Sequence, residues 1–422
     1  MESDAFLLSA TGSGRATAYL ESGKIITFRG RTHVTWLDTP PEGFRIKIRT
    51  LDHATGRWGP AVTVGEAVDN HGGPALTVDA DGFLHIVYYS HHHPFRYHRS
   101  VRPNDATEWG TMEQFGQDLT YPTLLCAPDG ALVLSARRSF ENRPWELELW
   151  TKAPGRAWTR RGAVLCSRQL NYSQFAASMV WASDHRRLFL SFRIYEMPDY
   201  EKKDAVTAVG CITSPDGGES WTRLDGTPLA LPASADEVDP LVVCDSRAGR
   251  IADSGSMALS PDGRPHFAYS IKTPQGAETF LAAGRADGGW RQVRLNDFLP
   301  AAFRGWAMVH QGGVVFMPDG RLIVVGTVQN LRPGEEAWGH PGTEIMQFTS
   351  RDGGVTFSAT LLSEPDPRVP HWLPNVEKPS GCNLLPARPG VVFTAGGAGA
   401  GLGDVLNNGV WWRPLDPGAT VT

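Results

Sequence analysis

The sequence has no apolar stretch long enough for a membrane-spanning helix, so a transmembrane protein is not expected. It has no long basic run either, and its net charge of −5 argues against nucleic acid as the main partner. Apolar spacing of the helical type does not continue beyond two turns anywhere in the 422 residues. We therefore expect a globular, monomeric protein built from strands, with neither a membrane nor a nucleic acid as its partner.

Cysteines are few and widely scattered, without Cys-x-x-Cys spacing: Cys126, Cys166, Cys211, Cys244 and Cys382. Because their number is odd, we expect free buried thiols in preference to a disulfide framework or a zinc site. The first residues include acidic side chains and no extended apolar region, so no signal peptide is predicted. The sequence as it stands indicates a cytoplasmic protein, and a trimmed leader would indicate a secreted or periplasmic one.

Glycine, proline and tryptophan are abundant, at 46, 31 and 14 residues, which indicates many turns and an all-β fold. One hairpin pattern recurs seven times, with its turns near residues 30, 82, 130, 186, 263, 320 and 390. The first and last turns are 360 residues apart, so the repeat is about 60 residues long. An aromatic residue follows each hairpin: Trp58, Trp109, Trp158, Trp221, Trp290, Phe357 and Trp412.

Short strands, regular turns and one aromatic per unit predict a seven-bladed β-propeller with four strands in each blade. Ser214–Trp221 and Ser350–Phe357 match the Asp-box turn typical of propellers, Ser-x-Asp-x-Gly-x-Thr/Ser-aromatic, which we interpret as structural. Neither a linker nor a shift in composition interrupts the chain, so residues 1–422 are predicted to form one domain. In that domain the segment from about residue 5 to 20 is a candidate for completing the last blade.

Two histidines mark the candidate site. His71 precedes and His91 follows a predicted hairpin over residues 75–89, which turns at Asp81-Gly82. Because the two strands run antiparallel, both histidines are expected side by side at the same end of the hairpin. Neighbouring imidazoles at the rim of a sheet favour a proton-transfer site or a metal site. His33, His85 and His266 share a position inside the repeat and are expected to pack within strands.

The same reasoning extends the site to the next two blades. In each of them a tyrosine stands at the start of one inner strand, and an arginine stands at the end of the strand that pairs with it. Arg137 and Arg138 are adjacent in a strand, so only one can face the site, and the repeat alignment favours Arg137. The predicted catalytic residues are His71, His91, Tyr121, Arg137 and Arg193. The predicted substrate-binding residues are Asn70, His92, Arg138, Tyr172 and Tyr195.

This set of side chains, without an obvious pair of acids, suits β-elimination from a uronic acid. Removal of the C5 proton next to a carboxylate requires that the carboxylate charge be neutralised, and arginine offers a matching fork of donors. One histidine or tyrosine then takes the proton, and another protonates the leaving oxygen at C4. Glycoside hydrolysis more usually needs two carboxylic acids that flank the bond.

Four segments carry a family resemblance: Asp69-Asn-His71-Gly-Gly-Pro74, Asp81-Gly-Phe-Leu-His85, His91-x-x-Pro94-Phe-Arg96-Tyr97 and Thr120-Tyr121-Pro122. They resemble the BNR-repeat, seven-bladed propeller polysaccharide lyases, a group that includes ulvan lyases and L-rhamnosyl-α-1,4-D-glucuronate lyases. The resemblance is dense over residues 65–140 and thinner elsewhere. It implies a carbon–oxygen lyase that cleaves 4-linked glucuronate in a glycan containing L-rhamnose. By the same resemblance, the two histidines are acid–base groups, Tyr121 is an acid–base or positioning group, and Arg137 and Arg193 neutralise the carboxylate.

Several alternatives remain open at this stage. The resemblance implies a structural calcium or zinc ion without indicating its ligands, although the chemistry itself requires no cofactor. Related propellers that act as α-L-rhamnosidases make hydrolysis the first alternative function. Asp boxes also occur in sialidases, which use a Tyr–Glu nucleophile pair and three arginines, but the sequence has no Phe-Arg-Ile-Pro-like start, and Phe28-Arg29-Gly30 is a poor substitute. A non-catalytic glycan-binding propeller is the third alternative, and the lyase and binding hypotheses both expect an anionic glycan as the partner.

Overall fold

The computed structural model describes residues 5–199, 201–332 and 335–415. Strand β1 is Phe6–Gly12. Blade 1 contains β2 (Ile25–Phe28), β3 (Arg31–Asp38), β4 (Arg45–Asp52), β5 (Arg57–Trp58) and β6 (Val62–Glu66). Blade 2 contains β7 (Ala75–Val78), β8 (Leu84–Tyr88), β9 (His93–Arg99) and the first part of β10 (Glu113–Cys126). Blade 3 contains the rest of β10, β11 (Leu132–Arg138), β12 (Glu146–Lys152) and β13 (Thr159–Cys166).

The remaining blades follow the same plan. Blade 4 contains β14 (Ser173–Trp181), β15 (Leu188–Asp199), β16 (Asp204–Ser214) and β17 (Val242–Asp245). Blade 5 contains β18 (Ile251–Leu259), β19 (Pro265–Thr273), β20 (Gly276–Gly284) and β21 (Trp290–Arg294). Blade 6 contains β22 (Ala307–Phe316), β23 (Leu322–Gln329), β24 (Thr343–Ser350) and β25 (Ser358–Leu361). Blade 7 contains β26 (His371–Val376), β27 (Gly390–Ala395), β28 (Asn408–Pro414) and β1. Three short 3-10 helices span Ser246–Ala248, Leu295–Phe298 and Ala301–Phe303.

The first strand closes the ring. Phe6 of β1 lies opposite Trp412 of β28 in an antiparallel pair, so β1 becomes the fourth strand of the last blade. Gly12, at the end of β1, also pairs with Asp38 of β3 in the first blade. The described residues therefore form the predicted seven-bladed propeller, and the N-terminal segment completes its last blade.

The core lies between neighbouring blades, where the side chains of adjacent sheets interdigitate. Between blades 3 and 4, for instance, Leu149, Leu165, Phe192 and the Asp-box aromatic Trp221 belong to one buried cluster. Burial of such side chains is worth about 1.5–3 kcal/mol each. Both Asp boxes act as structural turns, since the carboxylate of each accepts backbone N–H groups within its own loop.

Two further features bear on the sequence predictions. All five cysteines are free thiols, three of them buried and two partly buried. Among the described residues, no helix has the length and apolar character that crossing a membrane requires.

Candidate active site

The candidate site is a cavity of about 690 Å³ at the end of the propeller opposite the Asp-Gly turns. Its wall includes Arg15 from the segment after β1, His71 ahead of blade 2, Tyr121 in blade 3 and Arg193 in blade 4. The hairpin geometry inferred from the sequence thus brings residues of three consecutive blades to one pocket. The N-terminal segment adds a fourth contribution.

Asp69 joins the two histidines. One carboxylate oxygen of Asp69 lies 2.5 Å from Nδ1 of His91, and the other lies 3.4 Å from Nδ1 of His71. The two imidazole rings are stacked, with centroids 4.2 Å apart and planes 15° apart. Burial opposes ionisation of Asp69, but the hydrogen bonds from both histidines outweigh it and hold the pKa of the carboxyl well below its usual range.

The tautomers of the two rings follow from their partners. His91 carries its proton on Nδ1, which lies 2.5 Å from the ionised Asp69 oxygen. In His71 the Nδ1 atom lies 3.4 Å from Asp69 without the geometry of a hydrogen bond. The guanidinium of Arg15 can only donate and contacts Nε2 of His71, so the lone pair of that ring is on Nε2 and its proton on Nδ1. His71 is also kept neutral, because burial and the charge of Arg15 lower its pKa to about 4, against the opposing effect of Asp69. A neutral imidazole whose lone pair is on Nε2 can accept a proton at ordinary pH once no other donor occupies that lone pair.

Asp69, His71 and His91 are also the group in the described residues that is closest to a metal-ligand set, with ligand atoms within 4.8 Å of one another. Calcium prefers six to eight oxygen ligands, and this group offers a single carboxylate. A zinc ion would need the nitrogen lone pairs to point at one position, whereas both Nδ1 atoms face the carboxylate. The arrangement therefore fits a carboxylate that orients two imidazoles, and it does not fit the structural ion that the family resemblance implies.

Arg15 belongs to the site although nothing in the sequence pattern indicated it. Its guanidinium Nη1 donates a hydrogen bond to Nε2 of His71 over 2.6 Å, and its Cζ lies 5.0 Å from the centroid of the Trp338 ring. Arg15 stands in the turn that follows β1, where its backbone N–H donates to Ser13 Oγ. A repeat alignment has no position for this turn, because the turn belongs to the closing segment and not to a blade hairpin.

Tyr121 lies in the predicted place, at a register shift in β10. Its side chain is buried against Tyr19, with ring centroids 4.7 Å apart. Burial, together with the neighbouring Tyr172, raises the pKa of Tyr121 to about 12. The phenol is therefore protonated over the ordinary pH range and can donate its proton.

Several residues around the pocket adopt a left-handed backbone that side chains disfavour. Tyr19, Tyr121 and Leu373 line the cavity with φ of 65°, 59° and 53°, and the neighbouring His92 has φ of 53°. Such conformations cost about 1–3 kcal/mol each and occur preferentially at functional sites. Among the described residues, these are four of the eleven non-glycine residues with positive φ, so the pocket region holds a substantial share of this strain.

Arg137 requires a correction. Its side chain has no exposed surface, and its guanidinium lies beneath the rings of Tyr121 and Trp145 at 4.7 and 4.8 Å. One terminal nitrogen, Nη2, donates to Thr120 Oγ1 and to His92 Nε2, both at 2.9 Å. In this structure Arg137 therefore supports Tyr121 and His92 from below and does not line the pocket that would hold a substrate carboxylate. The alternation of side chains along the strand predicted correctly which face of β11 carries Arg137, but it could not predict that the side chain is completely buried.

Arg138 and Asn70 were predicted to bind substrate, and the structure places both elsewhere. Arg138 lies on the opposite face of β11 and forms an ion pair with the buried Glu148 at 3.1 Å. Asn70 is buried, and its amide nitrogen donates to the carbonyl oxygen of Gly401 at 3.4 Å. Each side chain is engaged by neighbouring protein groups outside the cavity wall.

Arg193, Tyr172 and Tyr195 line the cavity as predicted. The guanidinium of Arg193 forms an ion pair with Asp253 at 2.9 Å and donates to the side-chain oxygen of Gln174. Its charge is therefore already balanced by a carboxylate.

His92 faces a second, adjoining cavity of about 580 Å³, which Trp145 also lines. Its Nδ1 lies 2.6 Å from Ser139 Oγ, and its Nε2 accepts from Arg137. Burial and the charge of Arg137 lower the pKa of His92 to about 4. His92 thus lines this second cavity and not the first. His91 does not line the candidate pocket either: it lies behind the wall, where its ring stacks on His71 and its Nδ1 contacts Asp69.

A larger cavity of about 920 Å³ lies at the Asp-Gly turns of blades 2 and 3, at the other end of the propeller. Its polar groups pair with one another: His85 contacts the Tyr97 hydroxyl at 2.7 Å and Asp79 at 3.1 Å. Such a satisfied network is what a strand-packing histidine requires. In the smaller cavity, by contrast, the buried Nε atoms of Arg15 and Arg193 have no hydrogen-bond acceptor among the described residues. The two guanidinium groups that line the smaller cavity beside His71 and Tyr121 favour it as the site of an anionic ligand.

The strand order and the Asp-box turns define the class of protein, a seven-bladed β-propeller with BNR-type repeats. Residues 31–298 match the model of the BNR repeat-containing family, and the chain belongs to that family.

Curated relatives and solved structures are consistent with this membership. The chain is 23% identical over 322 residues to an ulvan lyase of Pseudoalteromonas sp. (strain PLSV), and 20% identical over 320 residues to an ulvan lyase of Alteromonas sp. (strain LOR). Each match covers 67% of this chain and 63% of the relative, so the chain spans less than two thirds of the length of these proteins.

Two solved structures show the same fold. A PL25 ulvan lyase, also solved bound to -[GlcA(1-4)Rha3S]-, superposes with a TM-score of 0.72 at 16% identity, over 97% of this chain and 95% of that one. The polysaccharide lyase Uly1 superposes with a TM-score of 0.59 at 15% identity, over 98% of both chains.

Proposed function

We propose that the protein is a polysaccharide lyase that cleaves a 4-linked glucuronate by β-elimination, in a glycan that contains L-rhamnose and glucuronate. The observation that carries the proposal is the neutral His71 imidazole, whose Nε2 lone pair adjoins an arginine guanidinium in a pocket that also presents a protonated phenol. The names of the curated relatives and the disaccharide bound to the PL25 structure support the substrate class.

In the proposed reaction, His71 Nε2 takes the proton from C5 of the uronate. The electron pair of that C–H bond forms the C4=C5 double bond, and the C4–O4 bond breaks. The Tyr121 hydroxyl gives its proton to the departing O4. Each of these groups contributes about 10²–10⁴-fold to the rate. The ring proton of His71 is on Nδ1, 3.4 Å from the Asp69 carboxylate, so that Nε2 is the basic atom.

Negative charge that develops on the carboxylate at C6 needs cationic donors in a pocket that largely excludes water. Arg15 and Arg193 are the guanidinium groups that line the cavity among the described residues. Arg193 is paired with Asp253, so it offers a directed hydrogen bond and little net charge. Arg15 offers both.

Hydrolysis would need two carboxylic acids on either side of the bond. The carboxylic acids that line the pocket are Glu21 and Asp253. Asp253 forms ion pairs with Arg193 at 2.9 Å and with Lys272 at 3.5 Å. Glu21 is buried, and burial raises its pKa, so it could serve as the acid of a hydrolase. The base would have to be Asp253, whose oxygens are engaged by two cations, and for that reason we favour elimination over the rhamnosidase alternative.

Incubation with ulvan tests the proposal, because elimination creates a conjugated unsaturated uronate that absorbs in the near ultraviolet. Ulvan whose carboxyl groups have been reduced to alcohols is the matched control and should give no absorbance. Release of free rhamnose without absorbance would support the hydrolase instead. Binding of ulvan without any product would support a non-catalytic glycan-binding propeller.

A further inference from the structure

The three arginines around the pocket differ in what balances their charge. Arg193 is paired with Asp253, and Arg137 is buried beneath aromatic rings without exposed surface. Arg15 lines the cavity, and no carboxylate among the described residues lies within ion-pairing distance of it. Its Nε is buried without an acceptor, and its partners are the neutral His71 ring and the Trp338 face. Arg137 has no carboxylate partner either, but it does not line the cavity. Of the two arginines that do, Arg15 is thus the one whose charge no described carboxylate balances.

The contact between Arg15 and His71 has a consequence for catalysis. The hydrogen bond of 2.6 Å ends on Nε2, the atom whose lone pair would accept the C5 proton. An imidazole lone pair that already accepts a guanidinium N–H is not available to a carbon acid. The base of the proposed reaction is therefore covered as long as Arg15 remains in this position.

Resting on the proposed function, we infer that Arg15 is the residue that binds the uronate carboxylate, and that its transfer from His71 to the carboxylate uncovers the base. A carboxylate carries the opposite charge and accepts two parallel N–H bonds from a guanidinium, whereas the neutral His71 ring accepts one, so the exchange is favourable. The carbon that loses its proton is bonded directly to the carboxylate carbon. A carboxylate held by Arg15 therefore brings that C–H bond next to His71 Nε2.

The exchange also explains selection of an acidic sugar. A neutral hexose has no group that competes with His71 for the guanidinium, so it leaves the base covered. Only a ligand that carries its anion next to the acidic carbon both draws Arg15 away and presents the proton. Arg15 is in this sense a specificity determinant as well as a binding residue.

Titration of His71 tests the inference without any turnover. In protein labelled with ¹⁵N-histidine, the His71 signal is assigned by its loss in His71→Gln. Methyl β-D-glucuronide should raise the pKa of His71 by about one unit or more, since it neutralises Arg15 and adds a negative charge. Methyl β-D-glucoside, which differs by lacking the carboxylate, should leave the titration unchanged.

Variants complete the test. Arg15→Gln should raise the pKa of His71 in the unliganded protein and abolish the response to glucuronide. Arg15→Lys should keep the pKa low while weakening glucuronide binding at least tenfold, because it retains the charge and loses the fork. Arg285→Gln, which removes an exposed arginine paired with Asp287, is the matched control and should behave as the parent protein.

Equal responses to glucuronide and glucoside, or an unchanged His71 titration in Arg15→Gln, would overturn the role of Arg15. That result leaves the lyase proposal intact if ulvan still gives the unsaturated product. Conversely, a His71 titration that responds to glucuronide through Arg15, in a protein that forms no unsaturated product from ulvan, removes the proposed function and keeps Arg15 as a carboxylate-binding residue.

Discussion

At the scale of single residues, the site depends on one carboxylate that serves two imidazoles. Asp69 holds His91 at 2.5 Å and His71 at 3.4 Å, and it also accepts the backbone N–H of His71 at 2.8 Å. These contacts decide the position of the ring protons and hence which nitrogen is basic. A related arrangement, Asp79 with His85, occurs at the other end of the propeller, where its partner is a buried tyrosine hydroxyl.

Replacing Asp69 by asparagine should therefore impair the chemistry more than the fold. The amide nitrogen of asparagine donates a hydrogen bond where the carboxylate oxygen accepted one. The imidazole that faces this nitrogen must therefore carry its proton on Nε2 instead of Nδ1. We expect kcat on ulvan to fall about 10²–10⁴-fold, with a small change in the midpoint of thermal unfolding. Asp79→Asn makes the same chemical change outside the site and should leave kcat unchanged. Equal activities of the two variants would remove Asp69 from the mechanism.

The phenol of Tyr121 can be tested in the same paired manner. Tyr121→Phe retains the ring that packs on Tyr19 and covers Arg137, and it removes only the hydroxyl. We expect kcat to fall about 10²–10⁴-fold with KM little changed, as measured by initial rates of absorbance increase. Tyr97→Phe, which removes a hydroxyl at the opposite end, serves as the control. Full activity of Tyr121→Phe would show that another group protonates O4.

At the scale of strands and turns, local sequence patterns were sufficient to predict the hairpins and which residues lie at their ends. Asp-Gly turns and alternating strands placed the hairpins, and the antiparallel geometry brought His71 beside His91. Strand alternation separated Arg137 from Arg138, but it reports only the face of a strand. Whether neighbouring loops cover that face is decided by Trp145 and Tyr121, which is why the complete burial of Arg137 was not predictable. Arg15 was missed because its contact with His71 spans 56 residues and depends on closure of the ring.

The turn that carries Arg15 is held closely against the loop after β27. A Cβ atom added at Gly14 would lie 2.1 Å from the carbonyl oxygen of Ala398, which is backbone and cannot swing aside. Gly14→Ala should therefore shift Arg15 and lower kcat/KM on ulvan at least tenfold. Gly397→Ala is the control in the facing loop, where an added Cβ has open space. Thermal unfolding of both variants would show whether the turn moves without loss of the fold, and parental kcat/KM in Gly14→Ala would contradict the prediction.

At the scale of the whole molecule, ring closure makes the site a property of the complete propeller. The strand β1 joins the last blade to the first and delivers the Arg15 turn to the pocket. The rest of the wall comes mainly from blades 4 and 5, and blades 2 and 3 contribute His71 and Tyr121. The same closure buries polar groups along the ring, and several of these are histidines that fold in their neutral form. The stability of the whole molecule is thereby coupled to pH.

Three histidines decide whether stability rises or falls with pH, because folding makes each of them harder to protonate. Burial is the main cause that lowers the pKa of His33, His71 and His92 to about 4, compared with about 6.5 in the unfolded chain. Above pH 6.5 neither state binds these protons and stability is complete. As the pH falls from 6.5 towards 4, these histidines bind protons in the unfolded chain but not in the folded protein, so the free energy of unfolding decreases. For the fully buried His33 alone the loss is on the order of 3 kcal/mol by pH 4.

We therefore expect the midpoint of thermal unfolding to decrease steadily between pH 6.5 and 4.5 at constant ionic strength. The number of protons taken up on unfolding at pH 5, obtained from the slope of the unfolding free energy against pH, should include close to one for each of the three histidines. His33 lies in blade 1, far along the chain from the proposed chemistry, and hydrogen bonds to Thr50 and Asn104. His33→Gln should therefore reduce the uptake by about one proton without moving the pH profile of kcat/KM, whereas an unchanged slope would show that His33 is not buried in its neutral form.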